Sequence, residues 1–173
     1  KVTYEGYAPH GVAVFVEAET DNINRTVKDL RNLLTDHGGN LGKDGSVAYL
    51  FEQKGRLVLP TDTADEMTLF ERAVEAGAED VEKTDGAYVV TTPREAFSDV
   101  EAALDAAGLL IDAASLLRAP TTTVSLAPDV QAEVASLIAK IHGLKDVEAV
   151  YTTLRVEGMP LMHGPDAAPA PEH

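Results

Sequence analysis

Four glycines fall within the eight residues Gly38-Gly39-Asn40-Leu41-Gly42-Lys43-Asp44-Gly45, directly after an apolar stripe at helical spacing, and no other feature narrows the fold as much. Ile23, Val27, Leu30 and Leu34 recur at i, i+4, i+7 and i+11, which puts them on one helical face, with Asn22 or Asn24 to cap its start. Gly38 stops that helix, because a left-handed residue just past the last turn costs least without a Cβ. The further glycines let the backbone turn sharply, and Ser46-Val47-Ala48-Tyr49-Leu50-Phe51 then reads as a strand. Residues 12–18, Val-Ala-Val-Phe-Val-Glu-Ala, form a β-branched apolar run too short for a buried helix. Strand, helix and strand together predict a βαβ unit, its two strands parallel in one sheet and its helix on one face.

Lys54-Gly55 breaks the pattern before the short strand Arg56-Leu57-Val58-Leu59 and a helix from about Asp65, whose Met67, Phe70 and Val74 share a face up to Gly77. Asp80 to Lys83 and Ala87 to Thr91 flank Asp85-Gly86, a dipeptide that favours the positive φ of a tight hairpin. Thr92-Pro93-Arg94-Glu95 reads as a capping box opening a helix that buries Phe97, Val100 and Leu104 and stops at Gly108. Leu109 to Leu117 returns as a strand, so residues 56–119 read βαββαβ. After Pro120 come a strand over Thr121 to Leu126, an amphipathic helix from Pro128 with Val130, Val134, Leu137, Ile138 and Ile141 on one face, and a strand over Val147 to Val156. The fold expected is two ferredoxin-like α/β domains, residues 1–55 with 120–156 forming the outer one and residues 56–119 inserted into it. Residues 157–173, rich in proline and small residues, are expected to form a disordered tail.

Charge is distributed along the same divisions. The net charge of −15 is uneven: residues 1–55 hold 6 basic and 8 acidic side chains, residues 56–119 hold 5 and 14, and residues 120–173 hold 3 and 7. Phosphate and anionic lipid are repelled by such a surface, above all by the middle segment. The chain has no Cys, which excludes disulfides and thiolate metal sites, and no apolar run approaches the roughly 20 residues that span a bilayer. One local basic cluster stands out: Arg25 and Lys28 on the outer side of the first helix, Arg31 flanking the apolar stripe, and Lys43 on the loop beyond. These four are the candidate partner contacts, against the plainer reading of a solvated helix face.

The chemistry-bearing motifs point away from catalysis. Gly38-Gly39-Asn40-Leu41-Gly42-Lys43 is one residue short of a P-loop, has Asp44 where a metal-reaching hydroxyl belongs, and follows a helix instead of opening one. Gly38, Gly39, Gly42 and Gly45 are therefore read as a structural turn. The five histidines show no HExxH pair, and no GxSxG elbow is present. His37 and His142 each precede a glycine in a last helical turn, where capping is the expected role. Neither a metal nor a cofactor is expected, and the chain reads as non-enzymatic.

Tyr4-Glu5-Gly6-Tyr7, Thr20-Asp21-Asn22 with Asn24-Arg25-Thr26, His37 to Gly42, and Gly45 to Phe51 resemble the YebC/PmpR family in order and spacing. Gly77-Ala78-Glu79-Asp80-Val81 and Pro120-Thr121-Thr122-Thr123-Val124 extend the resemblance over residues 1 to 156. Ala8 and His10 depart from it where family members usually carry more glycine. The resemblance implies two α/β domains and a regulator of gene expression, either a DNA-binding transcriptional regulator or a ribosome-associated translation factor like the mitochondrial translational activator of cytochrome oxidase. It also implies a preceding basic helical domain, through which nucleic acid or ribosome would mainly be met. The chain opens on Lys1, so that domain, and any transit peptide directing the protein to the mitochondrial matrix instead of the cytoplasm, would lie upstream. The alternative is a small-molecule-sensing ferredoxin-like module. Neither reading sets the oligomeric state.

Overall fold

The computed structural model describes residues 1–156 and 159–164. In chain order the elements are β1 (Val2–Tyr7), β2 (Ala13–Ala18), α1 (Ile23–Asp36), β3 (Asn40–Leu41), β4 (Phe51–Pro60), α2 (Glu66–Ala76), β5 (Asp80–Thr84), β6 (Ala87–Pro93), α3 (Phe97–Ala106), β7 (Ala113–Pro120), α4 (Pro128–His142), β8 (Val147–Val156) and β9 (Met159–His163). They fall into two compact units, one of Lys1–Glu52 with the chain from Ala119 onward, the other of Gln53–Arg118. Both units are mixed α/β of the ferredoxin-like type.

In the first unit the sheet runs β3-β1-β2-β8-β9. Its core joins Val12, Val14 and Val16 to Val150 and Leu154, with Leu30 and Leu34 of α1 and Val134, Leu137, Ile138 and Ile141 of α4 packed against them. The expected parallel pairing of residues 12–18 with 46–51 does not form. Residues 2–7, to which the sequence reading gave no element, make an antiparallel pair with β2 from Val2↔Ala18 to Tyr7↔Ala13, and β8 takes the other edge, also antiparallel. With both edges of β2 occupied, residues 46–50 are left as a turn, its 3-10 segment at Ala48–Leu50. Thr121 to Leu126 likewise forms no strand. It touches the sheet through one isolated parallel bridge, Val124↔Leu154, while Thr121, Thr122, Thr123 and Ser125 stay exposed. Part of the expected tail is structured, because Met159–His163 pairs with β8 as β9. Residues 157–158 and 165–173 of that expectation lie outside the described residues.

In the second unit the strand order β5-β6-β4-β7 is that of a ferredoxin-like βαββαβ sheet. Lys54-Gly55, expected as a break, lies inside β4, paired with Pro93 and Thr92 of β6. Gly55 is there for closeness, since a Cβ would collide with the ring of Phe97 and the hydroxyl of Thr92. Asp65 caps α2 by accepting from Thr68 N at 2.9 Å, Gly77 ends it in the left-handed region, and Gly86 turns the hairpin at φ 79°. Three local expectations fail. Met67, Phe70 and Val74 face solvent, the core positions of α2 being Leu69 and Ala73. The capping box at Thr92 is replaced by a 3-10 turn over Arg94–Ala96, with the Thr92 hydroxyl donating to Pro93 O at 2.8 Å. Finally, β7 starts at Ala113 and not at Leu109, because Leu110 N is held by the Thr63 hydroxyl at 2.8 Å and Asp112 N by Val58 O at 2.8 Å.

Candidate functional site

The glycine loop is built against β1. Gly6 and Tyr7 pair with Leu41 and Asn40, so the two backbones approach closely. A Cβ on Gly39 would collide with the Tyr7 carbonyl, one on Gly6 would stand 2.6 Å from Asn40 O, and one on Gly42 2.7 Å from the Ser46 hydroxyl. Gly38 and Gly45 serve differently, at φ 86° and 89°. The loop is then tied down by Glu5, a residue 5% exposed whose carboxylate accepts from Gly45 N at 2.7 Å, Val47 N at 2.9 Å and Ala48 N at 2.6 Å. Bonds from backbone amides to a carboxylate are charge-assisted and strong. Three amides that a phosphate cradle would present outward are thus spent on the protein's own side chain. Glu5 was not legible as a loop anchor; its one signal is an acid in a strand whose neighbours are Tyr4, Gly6 and Tyr7.

The four cations are not equivalent. Arg25 donates to Asp146 Oδ2 at 2.8 Å and to Asp21 Oδ1 at 3.1 Å. Asp146 Oδ2 also accepts from Thr26 Oγ1 at 2.9 Å and Thr20 Oγ1 at 3.1 Å, so Arg25 belongs to a polar knot joining the start of α1 to the turn before β8. The Arg25 hydrogen bond, more than the threonines, holds the Asp146 carboxyl below its ordinary value against the opposing effect of burial. Lys28, Arg31 and Lys43 are exposed. Lys28 and Arg31, three residues apart on α1, are surface neighbours.

Along α4 runs a groove of about 470 Å³ lined by Pro9, His10, His37, Glu133, Ser136 and Lys140 among others. His10 is held at φ 66°, a left-handed conformation uncommon outside glycine. His37 caps its helix through Nδ1, 2.9 Å from Leu33 O; with the proton there, Nε2 is left to accept from Lys140 Nζ at 3.4 Å. His142 takes another role, its ring stacked on that of His163 at 4.9 Å. Among the described residues no group of three or more His, Asp or Glu is placed to hold a metal ion, and no helix is long and apolar enough to cross a membrane.

A family model for the TACO1/YebC second and third domain matches residues 1–154. The chain is 69% identical over 173 residues to a probable transcriptional regulatory protein of Salinibacter ruber, covering 100% of this chain and 67% of that protein. It is 43% identical over 159 residues to a protein of the same description from Persephonella marina, covering 90% and 63%. A solved structure of a conserved hypothetical protein from Aquifex aeolicus superposes with a TM-score of 0.79 at 40% identity, covering 89% of this chain and 64% of that one. The chain thus spans about two thirds of the length of the relatives it matches.

Proposed function

Because the chain belongs to the TACO1/YebC family, as its second and third domains, we propose that it is the non-enzymatic body of a cytoplasmic or mitochondrial regulator of gene expression, and that Lys28, Arg31 and Lys43 orient a nucleic acid, free or ribosomal, held mainly by a further basic part of the protein. The supporting observation is the split among the cations. Arg25 is engaged with Asp146 and Asp21, whereas Lys28, Arg31 and Lys43 stand exposed on a chain of net charge −15. Each neutralised phosphate contributes roughly 0.9 to the salt slope on B-DNA, so three cations contribute at most about 3. That is enough to align a partner, and too little to capture one against the long-range field.

The test is Lys28→Glu with Arg31→Glu in the full-length regulator, with melting checked. Association with target nucleic acid should weaken and its salt slope fall by roughly 2. Unchanged affinity and slope would make this helix face merely solvated. Arg25→Glu is unsuitable, since it breaks the knot at Asp146. A second reading, small-molecule sensing, has the groove at His10, His37 and Lys140 in its favour. A screen of small anions by thermal shift, repeated on Lys140→Ala, tests it; no shift with any anion tells against it.

A further inference from the structure

Helix α2 is apolar on two sides. Leu69 and Ala73 are fully buried in their own unit, while Met67, Phe70 and Val74 are 66%, 47% and 42% exposed. The latter three stand at i, i+3 and i+7, one continuous stripe down the helix. Single exposed apolar residues are ordinary, but a contiguous stripe rimmed by charge marks an interaction surface. The rim is acidic. By helical periodicity Glu66 lies on one side of the stripe and Glu71, with Glu75 beyond it, on the other, whereas Arg72 points roughly 170° away. All four are exposed, and the unit Gln53–Arg118 carries 14 acidic side chains against 6 basic ones.

This pattern selects the occupant. Nucleic acid and anionic lipid are repelled by the rim, and a second copy of the face would set Glu66, Glu71 and Glu75 against their own kind. We propose that the α2 face docks a basic amphipathic protein helix, which lays apolar side chains on Met67, Phe70 and Val74 and brings Lys or Arg to Glu66, Glu71 and Glu75. Amphipathic helices are read through anchors at this spacing, and an unbranched Met adapts to varied partners. The proposal is independent of the nucleic-acid reading, which rests on the other unit.

The probe is a synthetic Leu/Lys peptide of about four helical turns, patterned with one apolar face, beside a scrambled peptide of equal composition. Both are titrated into the whole chain at physiological salt by calorimetry, with sedimentation in parallel. The patterned peptide should bind about ten-fold tighter than the scrambled one, and Met67→Ser with Phe70→Ser should abolish that preference. Glu66→Gln with Glu71→Gln should weaken binding and flatten its salt dependence, which keeps the test open if the first variant folds poorly. Equal binding of both peptides, or a preference untouched by either variant, overturns the proposal. So does a dimer that Phe70→Ser dissolves, because the occupant is then a second copy.

Discussion

At the scale of the residue, the loop after α1 separates two uses of glycine. Gly39 is required by proximity to the Tyr7 carbonyl, Gly45 by its φ of 89° with open space around its Cα. Gly39→Ala must push two backbones apart and is expected to cost about 1–3 kcal/mol or more, whereas Gly45→Ala pays only left-handed strain of roughly 1–2 kcal/mol. Denaturant midpoints of the two variants should rank in that order. Glu5→Gln keeps the shape but turns an NH₂ toward one of the three donors at Gly45, Val47 and Ala48, leaving an amide unsatisfied. A loss of about 1–3 kcal/mol is expected in the same measurement. Asp146 makes a pH-dependent prediction. Its folded carboxyl titrates below the ordinary 3.8, chiefly through Arg25, so its contribution is complete above 3.8 and is lost as pH falls through the lower folded value. Asp146→Asn should remove that part of the acid limb of a stability–pH curve; an unchanged limb would show that the knot contributes no pH dependence.

At the scale of the element, burial decides which of several plausible faces a helix uses. On α4 the periodic positions Val134, Leu137, Ile138 and Ile141 are buried and only Val130 is half-buried, and Ile138→Ala should destabilise the first unit by about 2–5 kcal/mol. A loss well under 1 kcal/mol would mean that the site collapses around the deletion. On α2 the apolar spacing 67, 70, 74 competes with 69, 73, and only the second meets the sheet. Strand β9 adds a titrating contact: His163 is driven below the ordinary 6.5 by burial first and by His142 second. Its neutral form is favoured in the fold, so stability is complete above 6.5 and falls as pH drops through the folded value. His163→Gln should flatten the stability–pH curve below 6.5.

At the scale of the whole molecule, the chain leaves the first unit at Glu52 and returns at Ala119. The intervening segment has its own core around Leu57, Leu59, Leu69, Val90, Val100 and Leu104. A fragment spanning Gln53–Arg118 is expected to fold alone and to survive limited proteolysis of the full chain. Cooperative loss of both units at one denaturant midpoint, or an unfolded fragment, would contradict this.

Helix positions and most caps and turns were legible because each depends on neighbours within a few residues: Leu30 and Leu34 of the α1 stripe (though not the exposed Ile23), Asn22 and Asp65 at N-termini, and Gly77, Gly86 and Gly108 at stops and turns. Strand partners beyond the β5–β6 hairpin were not. β1, just upstream, takes one edge of β2, and β8, more than a hundred residues downstream, takes the other; nothing local to Ser46–Leu50 reports that both edges are already taken. The candidate site divides along the same line. Exposure of Lys28 and Arg31 follows from their place on the helix, whereas the capture of Arg25 by Asp146 and of the glycine loop by Glu5 required the sheet to bring distant segments together. Hydrogen bonds and charges act over a few ångströms of space, and only folding converts separation in sequence into separation in space.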